Sequence, residues 1–243
     1  MRIAISGTAC QGKSTLISDF IKEWPLYKGE SQTYRDILKE KKYPHSKNAN
    51  KEGQWAILNH MIDELQKYNK RDKVIFDRCP LDNLIYSMWA FEKNSSDIDK
   101  EFIDKCIPLV RESLKSLDII FFIPITKVAP VAIVDDGVRE VDSDYISEID
   151  NIFKVILHTH HLKPGTTPFI PAYDCPGIIE VFGSPQERVQ IIKQYLDVDG
   201  DLIGESADIV TTENDDMKQL LEQMSNDNNR EKEERRIRKK FSI

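Results

Sequence analysis

Eight residues near the start of the chain, Gly7-Thr8-Ala9-Cys10-Gln11-Gly12-Lys13-Ser14, have the types and spacing needed to grip a phosphate group. They match the phosphate-loop pattern G-x-x-x-x-G-K-[ST] at every position. Successive backbone N–H groups wrap phosphate oxygens only where the chain turns tightly and no Cβ intrudes, which accounts for Gly7 and Gly12. Lys13 supplies an ammonium that can reach the β- and γ-phosphates of a nucleotide, and Ser14 a hydroxyl suited to Mg²⁺. A helix starting at Lys13 adds about half an elementary charge of positive character at its N-terminus. Cys10, Gln11 and Thr15 lie in or beside the same turn. The expected nucleotide-binding set is therefore Gly7, Cys10, Gln11, Gly12, Lys13, Ser14 and Thr15.

A second chemical group stands at Asp77-Arg78. Asp77 directly ends the apolar run Val74-Ile75-Phe76, the position from which a carboxylate holds Mg²⁺ directly or through water opposite a phosphate loop. Arg78 either neutralises charge on a transferring phosphoryl group or pairs with Asp77. Asp82, five residues beyond Asp77, either caps the next helix or touches substrate. The expected metal ligands are Ser14 and Asp77, and the expected catalytic residues include Lys13, Asp77 and Arg78.

The surrounding elements must position these groups. Arg2-Ile3-Ala4-Ile5-Ser6 reads as a buried parallel strand and Thr15 to Ile21 as a helix, so the glycine-rich turn joins a strand to a helix. Trp24-Pro25 stops that helix, and no second strand is evident after it. Helices are expected at Gln32 to Lys41, Gln54 to Tyr68, Leu81 to Glu92, about Ile98 to Ser116, and Ser143 to His160, the last in a lid-like place. The segment from Tyr43 to Gly53 reads as a polar loop. Ile119 to Ile123 is the most apolar strand, and Ile178 to Phe182 a final one, followed by a helix that starts at Gly183-Ser184-Pro185 and runs to about Leu196. Alternating strands and helices predict an α/β fold with three layers around a parallel sheet, a helical lid and a charged C-terminal tail.

Asp77-Arg78, followed by Leu81-Asp82 and Tyr86, resembles the D-R-x-x-[hydrophobic]-D-x-x-x-Y element of phosphate-loop nucleoside and nucleotide kinases, among them thymidylate- and deoxynucleoside-kinase-like proteins. Asp136-Gly137-Val138-Arg139 resembles the D-G-x-R element of ribosylnicotinamide-kinase-like proteins, and Gly183 with Arg188 is similar to their last strand and helix. The likeness covers roughly residues 1 to 196. It implies that Arg139 is a lid arginine closing on the phosphates, and that Arg35 and Gln54 face the acceptor; with the Asp82 reading above, the expected substrate-binding residues are Arg35, Gln54 and Asp82. Two positions depart from the pattern. Gln32 stands where a glutamate precedes the arginine, the nearest acid being Glu30, and Asp142, Asp144 and Tyr145 occupy the region of a second lid arginine. The general base is therefore left open.

The chain has 243 residues, 40% apolar and 31% charged, with a net charge of −7. That suits one large α/β domain with an appendage and excludes a polycation that coats nucleic acid. No apolar run reaches the roughly 18 residues of a membrane span, and the start of the chain lacks the apolar core of a signal peptide, so a cytoplasmic protein without a membrane partner is expected. Cys10, Cys79, Cys106 and Cys175 are widely spaced and read as reduced thiols. His158-Thr159-His160-His161, at a helix end without a cysteine nearby, is not read as a zinc site. Thr126-Lys127-Val128-Ala129 lacks the aspartate used in guanine recognition, so ATP is the expected donor.

Composition turns acidic, then basic, after Asp197. This places a kinase domain at 1–196 and a partly helical or flexible extension at 197–243. The reading that follows is an ATP- and Mg²⁺-dependent phosphotransferase with a nucleoside- or nucleotide-like acceptor. The alternatives are a kinase acting on a base or end within nucleic acid, admitted by the basic tail, and a non-kinase ATPase or nucleotide switch. Homodimerisation is left open.

Overall fold

The strand β1 (Arg2–Ser6) is buried at every position, and its neighbours explain why. In the computed structural model, which describes residues 1–127, 141–203 and 235–240, β1 lies at the centre of a five-stranded sheet. The order is β2 (Lys28–Gly29), β3 (Val74–Asp77), β1, β4 (Ile119–Phe122) and β5 (Gly177–Glu180), all pairs parallel. Side chains alternate across the sheet. Ala4, Val74, Phe76, Ile120 and Phe122 join one core, while Ile3, Ile5, Ile75, Ile119 and Phe121 join the other.

The first core is covered by α3 (Lys51–Gln66), α4 (Pro80–Lys93), α5 (Lys100–Leu114) and α6 (Ser143–Leu162), through residues such as Leu58, Met88, Phe102 and Phe153. The second is covered by α1 (Lys13–Glu23) and α7 (Pro185–Ile192), through Leu16, Phe20 and Ile192. Three layers result. Burial of each large apolar side chain is worth roughly 1.5–3 kcal/mol, which makes these two faces the main source of stability. Because every strand is parallel, the chain leaves the sheet after Ser6, Gly29, Asp77 and Phe122 along one edge, where α/β folds bind ligands.

Helix starts are set locally. Asn50, Asp99 and Asp142 cap α3, α5 and α6 through their side chains. Pro80 and Pro185 open α4 and α7 behind capping boxes Cys79/Asp82 and Ser184/Glu187. The short helix α2 (Tyr34–Lys41) has a Thr33/Asp36 capping box and buries no residue fully.

Three features differ from the sequence expectation. A second strand does follow α1, but β2 is a two-residue, exposed edge held by Lys28 N–H to Lys73 O (3.1 Å) and Glu30 N–H to Ile75 O (3.2 Å). An edge so short carries no alternation to read. The loop-like stretch 43–53 contains a 3-10 turn, Ser46–Asn48, and the start of α3. The helix α6 buries Ile149, Phe153 and Ile156, with the Phe153 ring stacked on Phe122 (centroids 5.4 Å apart), so it is a core helix whose first turn alone, at Tyr145, borders the cavity described below.

Packing also continues beyond Asp197. Trp24 Nε1 donates to Asp197 O (2.7 Å) and the Tyr27 hydroxyl to Gly200 O (2.8 Å). Residues 235–240 are helical, with Ile237 fully buried in the first core and Arg236 Nη1 paired with Glu92 Oε1 at 2.5 Å. Residues 204–234 and 241–243 of the tail, and the Asp136–Arg139 element with the end of Thr126–Ala129, lie outside the described residues. If the 235–240 segment is packed as described, Ile237→Ala lowers the unfolding free energy by about 2–5 kcal/mol in a denaturant titration. A loss under about 0.5 kcal/mol, typical of a surface position, contradicts that packing.

Candidate active site

The glycine-rich turn is built by backbone conformations that its sequence permits. Gly7 has φ 136° and Gly12 φ 73°. A Cβ at Gly7 would stand 2.7 Å from Ile123 O, so the loop can approach the end of β4 only with glycine there. Cys10 adopts φ 60° between them. Thr8 is fully buried and its hydroxyl donates to Ile146 O at 2.9 Å, fixing the loop against the first turn of α6. Arg188 of α7 donates from Nη1 to Gln11 O at 2.6 Å and from Nε to Gly183 O at 3.0 Å, gripping the loop from the opposite layer.

Lys13 opens α1 and donates from Nζ to Thr8 O within its own loop. Burial first, then the nearby Arg78 charge, hold its ammonium well below the ordinary lysine value, with Asp77 and Asp82 opposing the shift. Phosphate charge placed in the loop would favour the ammonium again.

Asp82 is almost completely buried and serves as a junction. Its carboxylate accepts from Ser6 Oγ (2.6 Å), Gly7 N (3.2 Å) and Cys79 N (3.0 Å), and pairs with Arg78 Nη1 at 3.1 Å. Of the two readings of Asp82, these bonds express the cap; it also borders the cavity. Arg78 further donates to Gly7 O (3.1 Å) and to the Tyr86 hydroxyl (3.1 Å), and its guanidinium lies over the Tyr34 and Tyr86 rings. Its partner is thus Asp82. The alternative in which Arg78 pairs with Asp77 does not describe this structure.

Asp77 instead pairs with Arg35 Nη1 at 3.3 Å. The same Nη1 donates to Ser14 Oγ at 3.3 Å, so Ser14 and Asp77, from different elements, meet around one cationic nitrogen. Asp77 Oδ1 is buried and has no hydrogen-bond partner among the described residues. A hydroxyl and a carboxylate with a free oxygen form a hard donor set that suits Mg²⁺, which takes few protein ligands and completes its shell with phosphate and water.

Glu30, noted in the sequence only as a displaced acid, follows β2 and accepts from Asp77 N at 3.0 Å. Burial chiefly, then the charges of Asp77 and Glu64, push its carboxyl up to about 8, although the Asp77 N–H bond opposes the shift. Nothing in the alternation around the two-residue strand β2 could have marked it.

A cavity of about 530 Å³ is lined by the turn, Arg35, Arg78 and Asp82; Asp77 and Glu30 lie outside its lining. Besides the turn Ala9–Thr15, its walls include Tyr34, Arg35, Gln54, Ile57, Tyr86 and Tyr145. Gln54 and Asn83, both buried, form an amide pair there, Asn83 Nδ2 donating to Gln54 Oε1 and to Gln54 O (3.2 Å). Asn83 Oδ1 is buried without a partner among the described residues. Asn83 was not singled out in the sequence, where it reads as one more polar residue in the first turn of a helix. The structure therefore brings together the glycine-rich turn, Arg35, Gln54, Asp77, Arg78 and Asp82. Arg139 lies outside the described residues. His158 is turned away to Glu180, Nε2 to Oε1 2.7 Å.

A family model described as an AAA domain matches residues 2–164. The chain belongs to this AAA-domain family. No curated protein matches it in sequence. Solved structures share the fold at low identity. Deoxyadenosine kinase from M. mycoides, with dCMP and dCDP bound, is 17% identical with a TM-score of 0.56, over 80% of this chain and 97% of that one. NadR protein in complex with NR is 14% identical with a TM-score of 0.57, over 84% of this chain and 53% of that one, so this chain spans about half of NadR. Thymidylate kinase from Candida albicans is 17% identical with a TM-score of 0.50, over 84% and 95%. This AAA-domain protein thus has a phosphate-loop kinase fold. No helix among its described residues is long and apolar enough to cross a membrane.

Replacing Asp82 by alanine leaves Arg78 buried and unpaired and frees Ser6 and Gly7. Loss of one partner of a buried pair costs about 3–5 kcal/mol. Denaturant titration of Asp82→Ala should show a loss of that size, and a loss below about 1 kcal/mol would remove Asp82 as the junction of the site.

Proposed function

We propose that this protein is an ATP- and Mg²⁺-dependent phosphotransferase that moves the γ-phosphoryl group to a nucleoside- or nucleotide-like acceptor. The observation that carries the reading is the lining of the cavity of about 530 Å³. The glycine-rich turn, three tyrosines and an amide pair line one space, which supports a donor and an acceptor sharing it.

The residues divide the work. Backbone N–H groups of the turn and the Lys13 ammonium hold the donor phosphates. Ser14 and Asp77 hold Mg²⁺, which when bound neutralises phosphate charge. Arg78, fixed by Asp82, Tyr86 and Gly7, presents a preorganised positive charge at the head of the cavity. On the acceptor side, Tyr34, Tyr86 and Tyr145 offer flat apolar surface to a ring. Asn83 Oδ1 accepts from an amino or carboxamide N–H₂ on that ring, the donor that would satisfy this buried oxygen. Glu30, beside Asp77 at the same sheet edge and outside the cavity lining, takes the proton of the attacking hydroxyl in its ionised form, which predominates above about pH 8.

Deoxyadenosine kinase and thymidylate kinase, which share the fold, are named for a nucleoside and a nucleotide, and this supports a small acceptor. Two cations of the basic run, Arg236 and Lys240, are engaged with Glu92, which weakens the case for nucleic acid as the acceptor.

An acceptor screen with radiolabelled ATP over nucleosides, monophosphates, ribosylnicotinamide and oligonucleotides tests the reading. Label should pass to a small acceptor faster than ATP is hydrolysed, and Lys13→Ala should abolish transfer while the melting curve stays cooperative. Slow hydrolysis with no acceptor dependence would instead make the protein an ATPase or switch. With the acceptor in hand, Glu30→Gln should lower kcat by a factor on the order of 10²–10⁴, the usual contribution of a general base, with nucleotide affinity retained in calorimetry. An unchanged kcat removes Glu30 from the proton transfer.

A further inference from the structure

Arg35 occupies an unusual place for a residue on the acceptor side. Its Nη1 donates to Ser14 Oγ and faces Asp77 Oδ2, both at 3.3 Å, the two groups whose chemistry suits Mg²⁺. We infer that Arg35 is a displaceable latch that competes with Mg²⁺ for Ser14 and Asp77, so that loading of metal and nucleotide releases its guanidinium toward the acceptor. The inference rests on the phosphotransferase reading of this site.

Three observations support displacement over a fixed structural pair. The first is charge. The cations near Arg35 include Lys13 and Arg78; Asp82 holds Arg78, and Asp77 is the carboxylate paired with Arg35 itself. Once a divalent ion neutralises Asp77, the guanidinium is left among like charges and is driven out. The second is anchorage. The helix α2 that carries Arg35 buries no residue fully, and the other contacts of the side chain are to its neighbour Tyr34, through the hydroxyl (3.2 Å) and the ring (5.4 Å). The third is direction. Arg35 lines the cavity together with Lys39 and Lys42, so a short swing of its side chain keeps it at the wall that an anionic or hydroxyl-bearing acceptor would meet.

The test is binding of Mn²⁺ with a non-hydrolysable ATP analogue, followed by electron paramagnetic resonance and calorimetry, for the wild type, Arg35→Gln and Arg35→Lys. A partly exposed ion pair of this kind should make metal binding about two- to fivefold tighter when it is removed. Arg35→Lys keeps the charge but loses the Nε contact to Tyr34 that orients Nη1 toward Ser14 and Asp77, and should also bind Mn²⁺ more tightly than wild type. With EDTA present, neither variant should bind the analogue more tightly than wild type, because only the metal competes. A gain of affinity is a result that a merely weakened fold does not produce. Variants with unchanged or weaker Mn²⁺ binding, Arg35→Lys indistinguishable from wild type, or a gain that persists in EDTA would each overturn the latch while leaving the site reading intact. A wild-type protein that binds no metal–analogue complex would overturn the phosphotransferase reading and the latch with it.

Discussion

The carboxylate of Asp82 ties together the parts that must not move relative to one another. It collects Ser6 and Gly7 from the end of β1, Cys79 from the start of α4, and the guanidinium of Arg78 after β3. The donors come from two turns at the carboxyl edge of the sheet, the one after β1 and the one after β3. A buried anion with all its partners met is rigid, whereas one with a partner missing is costly. The glycine-rich turn and Arg78 therefore share one anchor, and neither can shift without disturbing the other.

That anchor also explains a strained backbone. Arg78 has φ 85°, a left-handed conformation that a bulky residue adopts only under constraint, at a cost of order 1–3 kcal/mol. Its N–H is held by Ile5 O (3.1 Å), and its side chain is fixed by Gly7, Asp82 and Tyr86. The strain turns the guanidinium back over the glycine-rich turn instead of out along the strand. An extended backbone after Asp77 would carry it elsewhere.

The parts of this arrangement legible in the sequence are those set by local rules. The strand-turn-helix from Arg2 to Glu23, the apolar strands 74–77 and 119–122, and the order of strands and helices follow from periodicity and glycine spacing. Lys13, Asp77 and Arg78 could be named because each sits at a fixed offset from such an element. What escaped depends on contacts between distant segments. The pairing of Arg35 with Asp77 spans two elements, and the choice of Asp82 over Asp77 as the partner of Arg78 depends on how α4 leaves the sheet. Glu30 sits after a strand too short to show a pattern. Asn83 looks like any polar residue of a helical turn, and its meaning comes from Gln54 on another helix. The burial of Ile237 was hidden because its neighbours in sequence are almost all charged, and a single apolar residue gives no period to detect.

The charge of the site runs against that of the protein. The chain is acidic overall, with 41 acidic residues against 34 lysines and arginines. The cavity is bordered by Lys13, Arg35, Lys39, Lys42 and Arg78, with Asp82 committed to holding Arg78. A field of one sign inside a surface of the other draws anions to the cavity and away from the rest of the molecule. It also carries a cost, since Lys13, Arg35 and Arg78 repel one another when nothing anionic lies between them. Asp77 and Asp82 limit that cost by each taking one arginine. The division is unequal in a useful way. The Asp82 pair is buried and bound on every side, so it persists, whereas the Asp77 pair is partly open and leaves one carboxylate oxygen unmet. A ligand that brought both phosphate charge and a divalent cation would satisfy Lys13 and Asp77 together, and under the proposed latch the arginine set free would be Arg35 at the cavity wall.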